Sequence, residues 1–172
     1  MTPLPNAPPT ATDPQAPFAA GSQDSYLILS IAGEQFGLPA WAVREIRGWT
    51  PPTPLPGAAH ALAGVINLRG TILPVIDAAL RLGLEPASPA PTRPVIVVLE
   101  LDGTACGVVA DRVSDILALP GQAIEPPPLS AHQIAPGSLL GITLLDGGVL
   151  RLLSPHALLP RQADQGQPGG HQ

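Results

Sequence analysis

Short apolar runs, many of them β-branched, alternate with polar turns from residue 26 to residue 153. That pattern predicts strands joined as hairpins. Tyr26 to Ile31 reads as a compact strand, Ala32-Gly33-Glu34 turns it, and Gln35 to Leu38 returns before Pro39 stops the pairing. Trp41 to Ile46 reads as a short helical or bent segment. Residues 50–57, with four prolines, form a rigid extended connector, because proline fixes φ and removes a donor. The next hairpin, Gly64 to Asp77, carries Asn67, Arg69 and Gly70 at its turn. Asp77 to Leu82 suits one or two helical turns ended by Gly83, and the four prolines of residues 85–94 mark a linker. A second series follows: strand Val95 to Leu101, turn Asp102-Gly103, strand Ala105 to Ala110, and a bent segment Asp111 to Leu117. A connector, Glu125-Pro126-Pro127-Pro128, then leads to a last hairpin, Leu139 to Leu145 and Val149 to Leu153 around Asp146-Gly147-Gly148. Residues 1–24 and 161–172 show no period and read as disordered tails.

The two series match each other. Gly33 pairs with Gly103 at an offset of 70, as do Phe36-Gly37 with Cys106-Gly107 and Val43-Arg44-Glu45-Ile46 with Val113-Ser114-Asp115-Ile116. Past the connectors the offset becomes 77, where Gly64-Val65-Ile66 meets Gly141-Ile142-Thr143 and Arg69-Gly70 meets Asp146-Gly147. The difference falls in the connectors, where insertions are cheap. The chain is thus expected to hold two copies of one unit, hairpin, bent segment, connector, hairpin, within a domain of residues 25–160. The first small barrel is expected at about 33–84 and the second at about 95–159, with strand exchange between them allowed. Closure removes exposed edges. Barrels of about 60 residues are marginal alone, and packing them together both stabilises them and leaves a groove.

Composition narrows the function. Hydrophobic residues make up 45% of the 172 and aromatics only 3%, so the core must be aliphatic. The net charge is −5, and all eight basic residues are Arg, which argues against nucleic acid and an anionic membrane surface. No apolar run approaches the length of a membrane span and the N-terminus lacks a signal-peptide pattern, so a cytoplasmic location is expected. The single cysteine, Cys106, sits in an apolar strand and reads as a packed small hydrophobe. The four histidines are scattered, with no metal spacing among them. Asp111 and Asp115 read as residues at a structural helix start. No catalytic, metal or cofactor constellation is found, so the chain is expected not to be an enzyme. Arg69, a lone long cation on a rigid hairpin tip, suits contact with an acidic partner group.

Four motifs, in order and in register, carry a resemblance. They are Val43-Arg44-Glu45-Ile46-Arg47-Gly48-Trp49, Gly64-Val65-Ile66-Asn67-Leu68-Arg69-Gly70, Ile72-Leu73-Pro74-Val75-Ile76-Asp77, and Gly107 to Leu117. The chain from Tyr26 to Leu159 resembles the CheW family, the coupling proteins of bacterial chemotaxis. The resemblance implies an all-β fold of two intertwined five-stranded SH3-like barrels with short helical segments. It implies an adapter without cofactor that joins chemoreceptor cytoplasmic tips to the regulatory domain of a CheA-type histidine kinase. Other CheW-like domains are further expected partners, and nucleic acid and direct membrane insertion are not expected. The alternative is a kinase-binding regulatory module that does not engage receptors. The family's motifs place receptor and kinase coupling on Val43, Glu45 and Arg69; a groove that receives a receptor helix needs an apolar wall, for which Ile46, Leu68 and Val113 are candidates. Glu45 and Arg69 are expected to form a partly buried ion pair where they converge. Val43 and Ile46 each read as core or as groove wall, with the core favoured for Ile46 and the groove for Val43.

Overall fold

The computed structural model describes residues 25–86, 89, 93–128, 134–161 and 164; the first expected tail and most of the second lie outside them. Ten strands follow in chain order: β1 (Ser25–Ile31), β2 (Glu34–Pro39), β3 (Val43–Gly48), β4 (Leu62–Leu68), β5 (Thr71–Asp77), β6 (Val95–Leu101), β7 (Thr104–Ala110), β8 (Arg112–Ala118), β9 (Leu139–Leu145) and β10 (Gly148–Leu153). One short helix, α1 (Ala78–Leu82), follows β5. The Asp77 carboxylate caps it by accepting from the Leu80 N–H at 3.2 Å, and Gly83 ends it with φ of 74°.

Hairpin chemistry explains the strand pairs. Each of the four tight turns, Ala32-Gly33, Arg69-Gly70, Asp102-Gly103 and Asp146-Gly147, has positive φ at both residues. That backbone matches the twist of the strands it joins. The segment Trp41 to Ile46 resolves into a 3₁₀ turn at Ala40–Ala42 followed by β3, and its repeat partner is β8. Both strands carry a bulge at the same repeat position, Arg44 in β3 and Ser114 in β8.

The chain forms two five-stranded sheets, and the halves trade their leading hairpins. Sheet one runs β8-β1-β2-β10-β9, and sheet two runs β3-β6-β7-β5-β4. Thus β1–β2 completes a sheet otherwise built from the second half, while β6–β7 completes one otherwise built from the first. The exchange is sealed by two parallel pairings, β2 with β10 through Gly37 and Leu152, and β5 with β7 through Val75 and Gly107. A β-carbon at Gly37 would lie 2.6 Å from the Leu152 side chain, and one at Gly107 would lie 2.8 Å from that of Ile96. These matched glycines mark the two parallel junctions between the halves, which add to the antiparallel pairings of β1 with β8 and of β3 with β6.

Three cores follow from strand alternation. Tyr26 and Ile28 of β1 join Leu150 and Leu152 in a cluster belonging to sheet one. Ile96 and Val98 of β6 join Ile66, Leu68, Leu73 and Val75 in the corresponding cluster of sheet two. The opposite faces of the same strands, Leu27, Leu29 and Ile31 with Val97, Leu99 and Leu101, meet in one large cluster shared by both sheets. Strands buried on both faces read as continuous apolar runs, as β1 and β6 do. Leu73 and Val75 of β5 belong to the same cluster as Ile96 and Val98 of β6 and Ile66 and Leu68 of β4.

The proline connectors guard the edges. Thr53 exchanges both backbone hydrogen bonds with Val65 on edge strand β4, at 2.8 and 2.9 Å, and Glu125 does the same with Ile142 on β9, at 2.8 Å each. Pro52 and Pro54 on either side of Thr53, and Pro126 after Glu125, keep these bridges from extending into ladders. Among the described residues, no strand ladder joins β3 to β4 or β8 to β9, so these single bridges stand where full barrel closure was expected.

Two expectations are corrected here. Asp111 starts no helix: its carboxylate accepts from the Gly33 N–H at 2.8 Å and ties down the β1–β2 turn, while Asp115 lies exposed on β8. Asp164, expected in a disordered tail, is buried against Arg81 of α1.

Candidate functional site

The Arg69 tip is built by its own turn. The Asn67 side chain accepts from the Gly70 N–H at 2.8 Å, and Arg69 is held in the left-handed region with φ of 51°. This aims a long cation away from the β4–β5 hairpin. Its guanidinium Nη2 lies 3.1 Å from Glu45 Oε2 on β3, so the expected ion pair forms. Arg47, two residues along β3, pairs with the other carboxylate oxygen, Oε1, at 3.2 Å. Glu45 therefore sits between two arginines. Partial burial pushes its carboxyl up, but hydrogen bonds from Arg47 and Arg69 and their positive charge outweigh this and hold it below its ordinary range.

Exposure divides the roles. The Glu45 side chain is 22% exposed and that of Arg69 66%, so Glu45 is the anchored member and Arg69 the free end. Leu68, Leu73 and Ala105 line a cleft of about 270 Å³ beside the tip, together with Arg44, Arg69 and Thr71. Arg44 itself pairs with Glu100 at 3.2 Å on the surface.

The remaining candidates are placed differently from expectation. Val43 is buried and packs in the shared core, whereas Ile46 is 38% exposed. The assignment is the reverse of the one expected. The bulge at Arg44 keeps both side chains on one face of β3, opposite Leu99 and Val97, so their burial differs by position along this edge strand rather than by face. Leu68 is buried in the core of sheet two and also lines the cleft. Val113 lies on β8 in the other sheet, half-buried against the shared core. The structure thus brings together Glu45, Arg69 and, at the cleft, Leu68, and adds Arg47, which its position between Ile46 and Gly48 did not distinguish from a solvated charge.

The site has no reactive group at its centre. Cys106 is fully buried, with its thiol 3.8 Å from the Leu158 carbonyl, and burial pushes its pKa up to about 12 despite the nearby Arg81 charge. Among the described residues, no group of three or more His, Cys, Asp or Glu is placed to hold a metal ion, and no helix is long and apolar enough to cross a membrane.

Two exchanged five-stranded sheets with a charged hairpin tip over a cleft define an all-β domain of paired sheets. Comparison with known proteins gives it a family. Residues 25–163 match the CheW-like domain. The chain is 37% identical over 132 residues to the chemotaxis protein CheW of Rhizobium meliloti, covering 77% of this chain and 84% of that one. It is 40% identical over 128 residues to a probable chemotaxis protein CheW of Rhizobium etli, covering 74% and 82%. The crystal structure of the scaffolding protein TtCheW from Thermoanaerobacter tengcongensis superposes with a TM-score of 0.73 at 28% identity, covering 82% of this chain and 90% of that one. The chain belongs to the CheW family.

Proposed function

We propose that this chain is a chemotaxis coupling adapter of the cytoplasm, which links chemoreceptor tips to the regulatory domain of a CheA-type histidine kinase without catalysis of its own. The observation that carries the reading beyond family membership is the Arg69 tip: a cation two-thirds exposed, set on a rigid turn and braced by Glu45. Such a group offers a charge-assisted contact to an acidic residue on a partner helix while losing little side-chain freedom on binding. In this reading Arg69 makes the contact, Glu45 and Arg47 orient it, and Val43 acts through the placement of β3 rather than by touching the partner.

Co-sedimentation with receptor cytoplasmic fragments and a CheA-type kinase tests the proposal, with autophosphorylation followed in the same tube. An adapter enters the pellet with both partners, and receptor control of the kinase requires its presence. Binding to the kinase without the receptor would replace this reading with that of a regulatory module. Binding to neither would end both.

A further inference from the structure

Among the described residues, Arg81 and Asp164 are the two buried charged residues. Their side chains are each 5% exposed. The Arg81 guanidinium forks onto the carboxylate: Nη1 lies 3.3 Å from Oδ1, and Nη2 donates to Oδ2. Asp164 Oδ2 also accepts from the Arg161 backbone N–H at 2.6 Å. Its own backbone carbonyl accepts from the Ala59 N–H at 3.3 Å. Ala59 precedes β4, and Arg81 lies on α1 directly after β5. One residue near the C-terminus therefore grips both legs of the hairpin whose tip carries Arg69. The legs also touch each other beside that grip, where the Ala61 carbonyl accepts from the Asp77 N–H at 2.8 Å.

Apolar side chains of similar volume would fill this space at no loss of stability, since a buried ion pair roughly breaks even with them or does worse. Arg81 even leaves its Nε without a hydrogen-bond partner. What a forked charge pair adds is a fixed position. We infer that the C-terminal segment anchored at Arg161 and Asp164 is a strap that clamps the base of the β4–β5 hairpin and thereby sets the placement of the Arg69 tip. The clamp is a property of the isolated chain and does not depend on the adapter reading.

Amide hydrogen exchange on the full chain tests it. Asp164→Asn alone strands the Arg81 charge and is expected to destabilise the whole domain. The double variant Arg81→Leu with Asp164→Asn removes the clamp without a stranded charge. In the double variant the Leu62, Gly70 and Asp77 amides should exchange about tenfold faster than in the wild type, while the Gly33 amide in the β1–β2 turn stays within about twofold. Should the double variant fail to fold, Asp164→Glu displaces the grip by one methylene and should give the same local pattern, more weakly. Acceleration spread evenly over both sheets, or absent from the hairpin, would overturn the inference.

Discussion

Arg69 stands at a backbone position that two of the other three hairpin turns give to Asp. A side chain other than Gly, Asn or Asp costs about 1–2 kcal/mol in the left-handed region. An ion pair as exposed as that of Arg69 with Glu45 returns at most about 1 kcal/mol. The tip is thus no more stable for having Arg, which supports the proposal that Arg69 serves a contact. Arg69→Gly should leave the melting temperature within about 3 °C of the wild type, because relief of the turn offsets loss of the pair. The same variant should lose receptor coupling in the sedimentation assay; unchanged coupling would remove Arg69 from the contact. Arg69→Glu faces Glu45 with a like charge and should melt about 4 °C lower. At this scale the sequence was partly legible. The Glu45–Arg69 pair followed from two motifs converging, but Arg47 looked like any surface charge. The burial of Val43 and Ile46 came out reversed because the bulge at Arg44, which no local residue announces, keeps both on one face of edge strand β3, covered at Val43 and open at Ile46.

The two connector bridges rest on glycines at matched repeat positions. Gly64 has φ of 146°, and a β-carbon there would overlap the Thr53 carbonyl; one at Gly141 would lie 2.6 Å from the Glu125 carbonyl. Gly64→Ala and Gly141→Ala should each lower unfolding free energy by about 1–3 kcal/mol in chemical denaturation, with Gly64 the more sensitive because its backbone is also strained. Gly121→Ala, which meets nothing within 4 Å, should be neutral. Equal effects at all three positions would mean that the bridges do not constrain the edges. Hairpins were readable from local turn chemistry, since turn and strand lie within a dozen residues. The trade of hairpins between halves was not, because the parallel pairings that seal it join Gly37 to Leu152 and Val75 to Gly107 across the sequence. The glycines were visible as a repeat, but only the packed strands give the reason for them.

For the whole molecule, acid is the revealing condition. Burial pushes the Asp164 carboxyl up, but the Arg81 fork, the Arg161 N–H and their charges hold it below its ordinary range, as the arginines do for Glu45. Both carboxylates therefore bind protons less readily folded than unfolded. Their contribution is complete above the ordinary carboxylate value of about 4 and is lost as pH falls through the lower folded values. The melting temperature should hold from neutral pH to about 5 and drop below about 4. Asp164→Asn should start lower, since a stranded buried charge costs roughly 3–5 kcal/mol, and should show a shallower acid limb. Parallel acid limbs for the two proteins would remove Asp164 from the account. Trading hairpins also sets the order of events on the ribosome. The β1–β2 hairpin is synthesised first, and all but its first residue in β1 is destined for burial. Its outer neighbours, β8 and β10, begin at residues 112 and 148. At about 5–20 residues per second, the nascent hairpin waits roughly 4–15 s for the first of them. During synthesis the strand destined for the most complete burial is thus its longest exposed, which makes the newborn polypeptide, rather than the finished protein, the natural client for a chaperone.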